Sequence, residues 1–428
     1  MTSPTLTGLP VELRSSILDH LSSLSDLAAL FRTCTAYYDV YAKSPAKYMS
    51  KIAVKQLVDD GGNLRDALAA VWSYSRLTRT TEKEVYEGEY KATAIAFLDM
   101  CRRAEETHYF DINDDELPIH ESLALVKLQK TADYLIDDFL DWVDEDEPIR
   151  LTSSERRRIR RAIYRWQIYR NVFIGYKGPQ GFYYVDDVDR RIGGDPNAVA
   201  SSLFSIELQQ GLYAPYLYPW ESEEMKVIYD YAMSRYVGVL KRVEPVISSK
   251  THAERSYEEQ RVVGEWLENL VAQGPDLLCQ AQAQMRLSEA DPQVLSELAG
   301  EHRQGRPNVW FMDMINGLIS ELQVGDYSAF DSDPDTRPRL CFEGDDVAES
   351  PNAGWVIAHE GEVEMRSGTD NTRQLRRFGY VFWDVERFRP GADFDLNVVE
   401  DLNYDTGHLE NMLAPANTPL AERRLRLP

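Results

Sequence analysis

Five arginines close together near the middle of the chain have the clearest potential for chemistry: Arg156, Arg157, Arg158, Arg160 and Arg161. Guanidinium groups in such a run can bind phosphate or nucleic acid. The run follows an acidic segment, Glu105 to Glu147, which holds 15 Asp and Glu but only two Lys. Those acids would repel a polyanion, and apolar residues recur at helical spacing from Ala162 to Phe173. We therefore predict a helix whose apolar face is core and whose basic face pairs with Asp137 to Glu147.

Other motifs that could hold a metal or cofactor are incomplete. The segments Asp111–Ser122 and Asp331–Phe342 begin like calcium loops but lack the required residues at loop positions six and twelve. The glycines of Gly175–Gly181 are spaced GxxGxxG, which is not the dinucleotide pattern. No HExxH, GxSxG or GxxxxGK[ST] occurs. We predict no catalytic residue, no cofactor and no metal, and hence no enzyme, although a Ser-His-Asp site assembled from distant positions stays open.

The elements that must position any site are mainly helical. The chain has 428 residues, of which 43% are hydrophobic and 11% aromatic, enough to form a sizeable core. Apolar residues recur at three- and four-residue spacing along most of it. The pattern predicts helices at 64–75, 84–103, 123–143, 154–173, 225–240, 257–272 and 309–322. The fold class predicted is mainly α.

The last hundred residues have a different composition. Gly325 to Pro338 is rich in Asp, Ser and Pro, which is typical of a loop. Gly354–Met365 and Phe378–Val385 contain enough Val and aromatic residues for short strands or extended segments. The predicted divisions are a short helical domain at 6–49, a helical body at 50–325, an irregular or α+β part at 326–414 and a tail at 415–428. Four aromatic residues in this part could line a pocket, but we favour core packing for them: Trp355, Tyr380, Phe382 and Trp383.

Composition also bounds the compartment and the partners. The formal net charge is −24, which argues against nucleic acid and anionic membrane as partners. The four cysteines are far apart and form no CxxC pair, and no N-x-[ST] sequon occurs. The sequence has neither an evident signal-peptide core nor an apolar run long enough for a membrane span. We expect a soluble intracellular protein, in the cytoplasm, the nucleus or both.

The first 50 residues carry four basic and four acidic side chains, so they are neutral within an acidic chain. Pro10 precedes Val11, Glu12 and Leu13, which is typical of a helix start. Further apolar residues repeat at helical spacing as far as Cys34, and Ser25-Asp26 is a second helix-start signal. Residues 8–49 are therefore predicted to form two or three short helices.

This segment resembles the F-box family. The resemblance rests on Leu9-Pro10-x-Glu12-Leu13-x-x-x-Ile17-Leu18-x-x-Leu21, followed by Ser25-Asp26-Leu27-x-x-Leu30-x-x-x-Cys34. It covers roughly residues 6–49, about a tenth of the chain. The tryptophan often found near the end of the motif is absent, and Tyr48 is the candidate to take its place, which leaves the C-terminal edge of the motif open. Two later segments, Arg157–Gln167 and Arg377–Asp384, are similar to stretches of F-box proteins from filamentous fungi.

The resemblance implies a function as a non-catalytic substrate receptor of an SCF-type cullin–RING ubiquitin ligase. The F-box would bind the Skp-type adaptor, and through it cullin, while the body would bind a protein target that the sequence does not name. A scaffold protein that uses its F-box outside a ligase is the alternative. The F-box-like segment has more apolar residues than two short helices can bury between themselves, so some of these residues should face a partner. The residues predicted to bind the adaptor are Leu9, Pro10, Val11, Leu13, Ile17, Leu18, Leu21, Leu27, Leu30 and Cys34.

Overall fold

The computed structural model describes residues 8–81, 87–102, 116–144, 149–174, 204, 206–213, 217, 219–247, 267–286, 354–355 and 375–388. Most of these residues are helical, and none of them is in a strand. The mainly α fold class is therefore confirmed. The predicted helix at 309–322, most of the extended segment at 354–365 and the glycines of 175–181 lie outside the described residues.

Four helices form the N-terminal part: α1 (Val11–Asp19), α2 (Leu24–Thr33), α3 (Thr35–Tyr41) and α4 (Pro45–Asp59). Pro10 precedes α1, and Pro45 begins α4, because a residue without an amide proton costs nothing in a first turn. The Ser23 hydroxyl accepts a hydrogen bond from the Asp26 amide and caps α2. These helices enclose a small core: Leu18, Leu27, Cys34, Tyr37, Val40, Tyr48, Met49 and Ile52.

Helix α4 belongs to two cores. Tyr48, Met49 and Ile52 on its first half bury themselves against α1–α3. Ala53 and Leu57 on its second half belong to the larger core of the body. Helix α4 is not among the helices predicted from the sequence, and it runs without a break across the predicted domain boundary at residue 49.

The body consists of longer helices: α5 (Leu64–Thr81), α6 (Glu87–Arg102), α7 (Ile119–Val143), α8 (Ser153–Tyr169), α9 (Ile206–Tyr213), α10 (Pro219–Ile247) and α11 (Pro275–Met285). Helix α7 packs against α4, α5, α8 and α11, and α8 also packs against α10. Helices α5, α7 and α10 extend the predicted ones by several residues, α6 and α8 end before the predicted limits, and the sequence pattern did not predict α9 or α11. Aromatic rings fill much of the core between them, among them Phe139, Trp166, Tyr169, Tyr231 and Tyr236.

Hydrogen bonds at the two ends of α8 define where the helix begins and attach its C-terminal end to α5. At its start, Thr152 and Glu155 form a capping box in which each side chain accepts a hydrogen bond from the other's backbone amide. At its end, the chain continues as a short π-helix, Arg170–Ile174. The Asn171 side chain there donates to the Ala70 carbonyl and the Ser73 hydroxyl, which fastens this turn to α5.

The prediction of a short strand or extended segment at Phe378–Val385 is wrong. Tyr380–Phe382 is a 3₁₀ turn, preceded by Gly379 in the left-handed region with φ of 66°. A Cβ on Gly379 would lie 2.9 Å from the Phe139 ring, so both the conformation and the space require glycine. The residues Tyr380–Trp383 are buried against the body. Their high aromatic content reflects burial rather than sheet pairing.

Candidate functional site

The N-terminal helices expose several apolar side chains. Val11 and Leu13 on α1 are 40% and 52% exposed, and Tyr38 on α3 is 52% exposed. Pro10 is also exposed, and Leu9 is partly exposed. Helices α1 and α3 pack against each other in the structure. We call Leu9, Pro10, Val11, Leu13 and Tyr38 the N-terminal face.

The structure divides the ten residues predicted to bind an adaptor by their burial. Pro10, Val11 and Leu13 are exposed, whereas Leu9, Ile17, Leu21 and Leu30 are partly buried. Leu18, Leu27 and Cys34 are at most 9% exposed and belong to the small core. In this conformation Leu18, Leu27 and Cys34 can support the helices but cannot contact another protein. The exposed three, all at the start of α1, are accessible to one.

Arg14 holds the N-terminal face in place. Its Nε donates to the Leu9 carbonyl over 3.0 Å, and its Nη1 donates to the Ala36 carbonyl over 2.8 Å. One guanidinium thus fixes Leu9, two residues before α1, and the first turn of α3 at the same time. Nothing in the apolar spacing of the sequence indicates this role, because it depends on how α1 and α3 meet.

Polar contacts attach α1 to α4. The Ser15 and Tyr48 hydroxyls are 2.8 Å apart and share a hydrogen bond. Near the other end of α1, the Lys51 ammonium bonds the Asp19 carboxylate over 2.7 Å. Tyr48 is buried and packs between the helices. It is the candidate for the place where the F-box motif often has a tryptophan.

A cluster of aromatic rings lies beside the exposed tyrosine. The Phe31 ring meets the Tyr38 ring edge to face at 5.5 Å and the Tyr41 ring at 4.9 Å. Burial, with a smaller contribution from Tyr38, raises the pKa of the Tyr41 hydroxyl above its ordinary value. Ring contacts of this kind add to the packing of α2 against α3. Phe31 and Tyr38 were not in the predicted set, although their spacing on a helical pattern could have indicated them.

The arginine-rich helix α8 is not a free cationic surface. Arg158, Arg160 and Arg165 are at most 7% exposed. Arg160 pairs with Asp133, Arg158 pairs with Asp384, and Arg165 pairs with Glu221. The internal pairing predicted for this helix is therefore present, but its main partners differ from those predicted. Within the predicted partners Asp137 to Glu147, Asp137 pairs with Arg156. The buried arginines instead pair with Asp133, Asp384 and Glu221, which lie outside that range.

Buried acids of α10 face α8 across the core. Glu224 is fully buried and binds Arg161 through both carboxylate oxygens. Burial raises the pKa of Glu224 above its ordinary value, and the opposing effect of Arg161 is smaller. Such a pair is costly to desolvate and is stable only while both partners are present. This geometry is that of a structural ion pair, since it leaves no room for a bound anion between the two groups.

The other candidate sites also have structural roles. Trp355, Tyr380, Phe382 and Trp383 are all at most 9% exposed, which confirms core packing over an aromatic pocket. Burial raises the pKa of the Cys101 thiol to about 12, so it is not a thiolate at neutral pH. Within the described ranges, no three His, Cys, Asp or Glu side chains are grouped so as to hold a metal ion. Residues 111–115 of the first calcium-like segment and all of Asp331–Phe342 lie outside those ranges.

Searches against family models, curated proteins and solved structures found no match for this chain. No helix among the described residues is both long enough and apolar enough to cross a bilayer.

Proposed function

We propose that this protein is an F-box substrate receptor of an SCF-type ubiquitin ligase, located in the cytoplasm, the nucleus or both. Its N-terminal helices would bind a Skp-type adaptor and, through it, cullin. The observation that carries the proposal is the exposed apolar start of α1, where Val11 and Leu13 are 40% and 52% exposed. The Leu-Pro and Asp-Leu spacing of the F-box motif supports it, because that motif runs through the same helices.

The energetics of the N-terminal face favour a protein partner. A fully covered Leu or Val side chain gains roughly 1.5–3 kcal/mol relative to an exposed one. Exposed apolar groups held on a fixed surface are typical of helix-to-helix interfaces. Arg14 and the bonds between α1 and α4 keep these groups in one arrangement before binding, which reduces the entropy that binding would lose.

In this role the chain performs no covalent chemistry. It would hold a protein target near a ubiquitin-charged enzyme and so raise the effective concentration of the target lysine. The body would carry the target, whose identity and binding surface are not assigned.

The proposal is tested by measuring adaptor affinity for the wild-type chain and for Val11→Ala/Leu13→Ala. Truncation of two interface anchors should weaken binding by about thirtyfold or more, which corresponds to about 2 kcal/mol. Leu123→Ala is the matched control, because Leu123 is 49% exposed on α7, which packs mainly against α4, α5, α8 and α11 rather than against α1 or α3. It should bind like wild type.

Two results would contradict the proposal in different ways. A wild-type chain that does not bind the adaptor would contradict the F-box function itself. Equal binding of wild type and Val11→Ala/Leu13→Ala would contradict the assignment of the face. Co-purification then separates the ligase subunit from a scaffold, because recovery of the adaptor without cullin would support a role outside a ligase.

A further inference from the structure

Helix α4 connects the N-terminal face to the body. Its first half packs on α1–α3 through Tyr48, Met49 and Ile52, and its second half packs on the body through Ala53 and Leu57. Any rotation of α4 on the body would therefore carry the N-terminal face with it. The contacts at the C-terminal end of α4 decide how firmly this helix is held.

That end is a sharply terminated helix. The Gly62 amide donates to the Leu57 carbonyl, and the Gly61 amide donates to the Val58 carbonyl. Gly61 has φ of 70°, in the left-handed region. These two bonds and this conformation form the glycine-based helix stop known as a Schellman motif. The chain leaves α4 at a fixed angle, and the Asp60 carbonyl remains available for an outside donor.

Arg160 of α8 supplies that donor. Its Nη1 donates to the Asp60 carbonyl over 2.7 Å, and its Nη2 bonds the Asp133 carboxylate of α7. Arg160 is 1% exposed, so its guanidinium is shielded from water, whereas the Asp133 carboxylate is 36% exposed. A cation at the C-terminal end of a helix is also favoured by the helix dipole. One planar guanidinium on the middle of α8 thus joins the C-terminal end of α4 to the middle of α7.

Other groups meet α4 nearby, but from one element alone. The Gln129 amide of α7 donates to the Gln56 carbonyl and to the Asp60 carboxylate. The Ser50 hydroxyl accepts from the Leu117 amide, which lies just before α7. Gln129 and Leu117 restrain α4 against α7. Arg160 adds the restraint from α8, across a sequence separation of 100 residues.

We propose that Arg160 is the positioning residue that fixes the orientation of α4, and hence of the N-terminal face, on the body. The value of this role rests on the proposed function, since a receptor that presents a target to a ligase must hold its two binding regions in a constant relation. The orientation itself is a property of the isolated chain and can be measured without any partner.

The test is a distance measurement by pulsed electron paramagnetic resonance in the full chain. Spin labels on genetically encoded ketone residues avoid the native cysteines. One pair, at Ala28 of α2 and Lys130 of α7, spans the N-terminal helices and the body. A reference pair, at Ala92 of α6 and Lys130, lies within the body. All three positions are exposed.

Arg160→Met should widen the distance distribution of the 28–130 pair by about twofold or more, because α4 loses its bond to α8. The 92–130 distribution should keep its width. Arg156→Met is the matched control: Arg156 lies one turn away on α8, also contacts Asp133, and acts on Asp60 at the end of α4 through its charge but without the hydrogen bond that Arg160 makes. It should leave both distributions unchanged.

A second variant keeps the test decisive if Arg160→Met does not fold. Arg160→Lys retains the charge but not the planar fork that reaches both acceptors, so an intermediate widening of the 28–130 pair is expected. Unchanged width in both Arg160 variants would overturn the proposal. Equal widening of both pairs would also overturn it, since Arg160 would then support the body in general. Adaptor affinity, measured separately, reports on the proposed function and not on this inference.

Discussion

The N-terminal helices and the body differ in whether their charged and apolar side chains are exposed or buried. Helices α1–α3 leave Leu13 and Tyr38 each 52% exposed and place their ion pairs, such as Lys51–Asp19, at the surface. The body also exposes single apolar side chains, such as Tyr74 at 53%, but it buries charged groups such as Arg160 and Glu224, whereas no charged side chain of α1–α3 is buried. Buried ion pairs are suited to one rigid arrangement, because loss of either partner leaves an uncompensated charge. The difference between the two regions can be tested by changes that affect one region alone.

The largest effect is expected in the body, at the pair formed by Arg376 and Glu223. Both side chains are buried, and two bonds of 2.6 and 2.9 Å join them. Glu223→Ala should lower the free energy of unfolding by about 3–5 kcal/mol, because it leaves a buried guanidinium without this carboxylate. Chemical unfolding followed by circular dichroism measures the change.

The matched variant is the double replacement Glu223→Leu/Arg376→Leu, which removes both charges. It should recover much of the lost stability, since the desolvation cost disappears together with the attraction. A double variant as unstable as Glu223→Ala would show that the pair contributes specific geometry rather than charge balance.

The next largest effect is expected in the small N-terminal core. Leu27 is 4% exposed, and Leu27→Ala should cost about 2–5 kcal/mol locally through lost burial and a cavity. Amide hydrogen exchange should accelerate in α1–α3 while the body helices α7 and α8 keep their protection. Equal acceleration in the body would show that the two cores unfold as one unit.

A smaller effect is expected on acidification, at the contact between Asp384 and the start of α8. Burial alone would raise the pKa of Asp384. The Thr152 hydrogen bond, the Arg158 charge and the Ser154 hydrogen bond outweigh it and hold the pKa below the ordinary 3.8. The carboxylate therefore contributes stability above that value, and the contribution is lost as the pH falls through the lower folded-state pKa.

Asp384→Asn isolates this contribution. The variant should be less stable than wild type at neutral pH, and the difference between the two proteins should shrink below pH 3.8. The raised pKa of Glu224 acts with the opposite sign, but it is common to both proteins and cancels in the difference. A difference that is constant with pH would contradict the ionic role of Asp384.

The smallest effect is expected at the surface of the N-terminal part. The Lys51 side chain is 53% exposed, and its pair with Asp19 is open to solvent. Lys51→Met should change the free energy of unfolding by at most about 1 kcal/mol, because water and salt screen such a pair. A loss as large as that of Glu223→Ala would contradict the contrast between the two regions.

Local pattern was sufficient to predict many of the helices. Val11–Asp19 and Ser153–Tyr169 each carry an apolar stripe with a clear start signal, and the apolar stripe of Ile119–Val143 indicated all of that helix except its first turn. Helix α4 escaped prediction because its apolar residues face two different cores and form no single stripe. The 3₁₀ turn at Tyr380–Phe382 escaped because buried aromatic residues give the same composition in a turn as in a strand.

The sequence by itself determined the mainly helical fold class, the apolar N-terminal segment and the presence of an arginine-rich helix with a buried face. Each depends on residue types a few positions apart. Only the tertiary structure decided which arginine meets which acid, which motif residues are exposed, and that Arg160 reaches the end of α4. Some of these contacts join residues more than 200 positions apart, as in the hydrogen bond from Arg158 to the Phe382 carbonyl. They follow from how helices pack, and spacing along the chain carries no information about that.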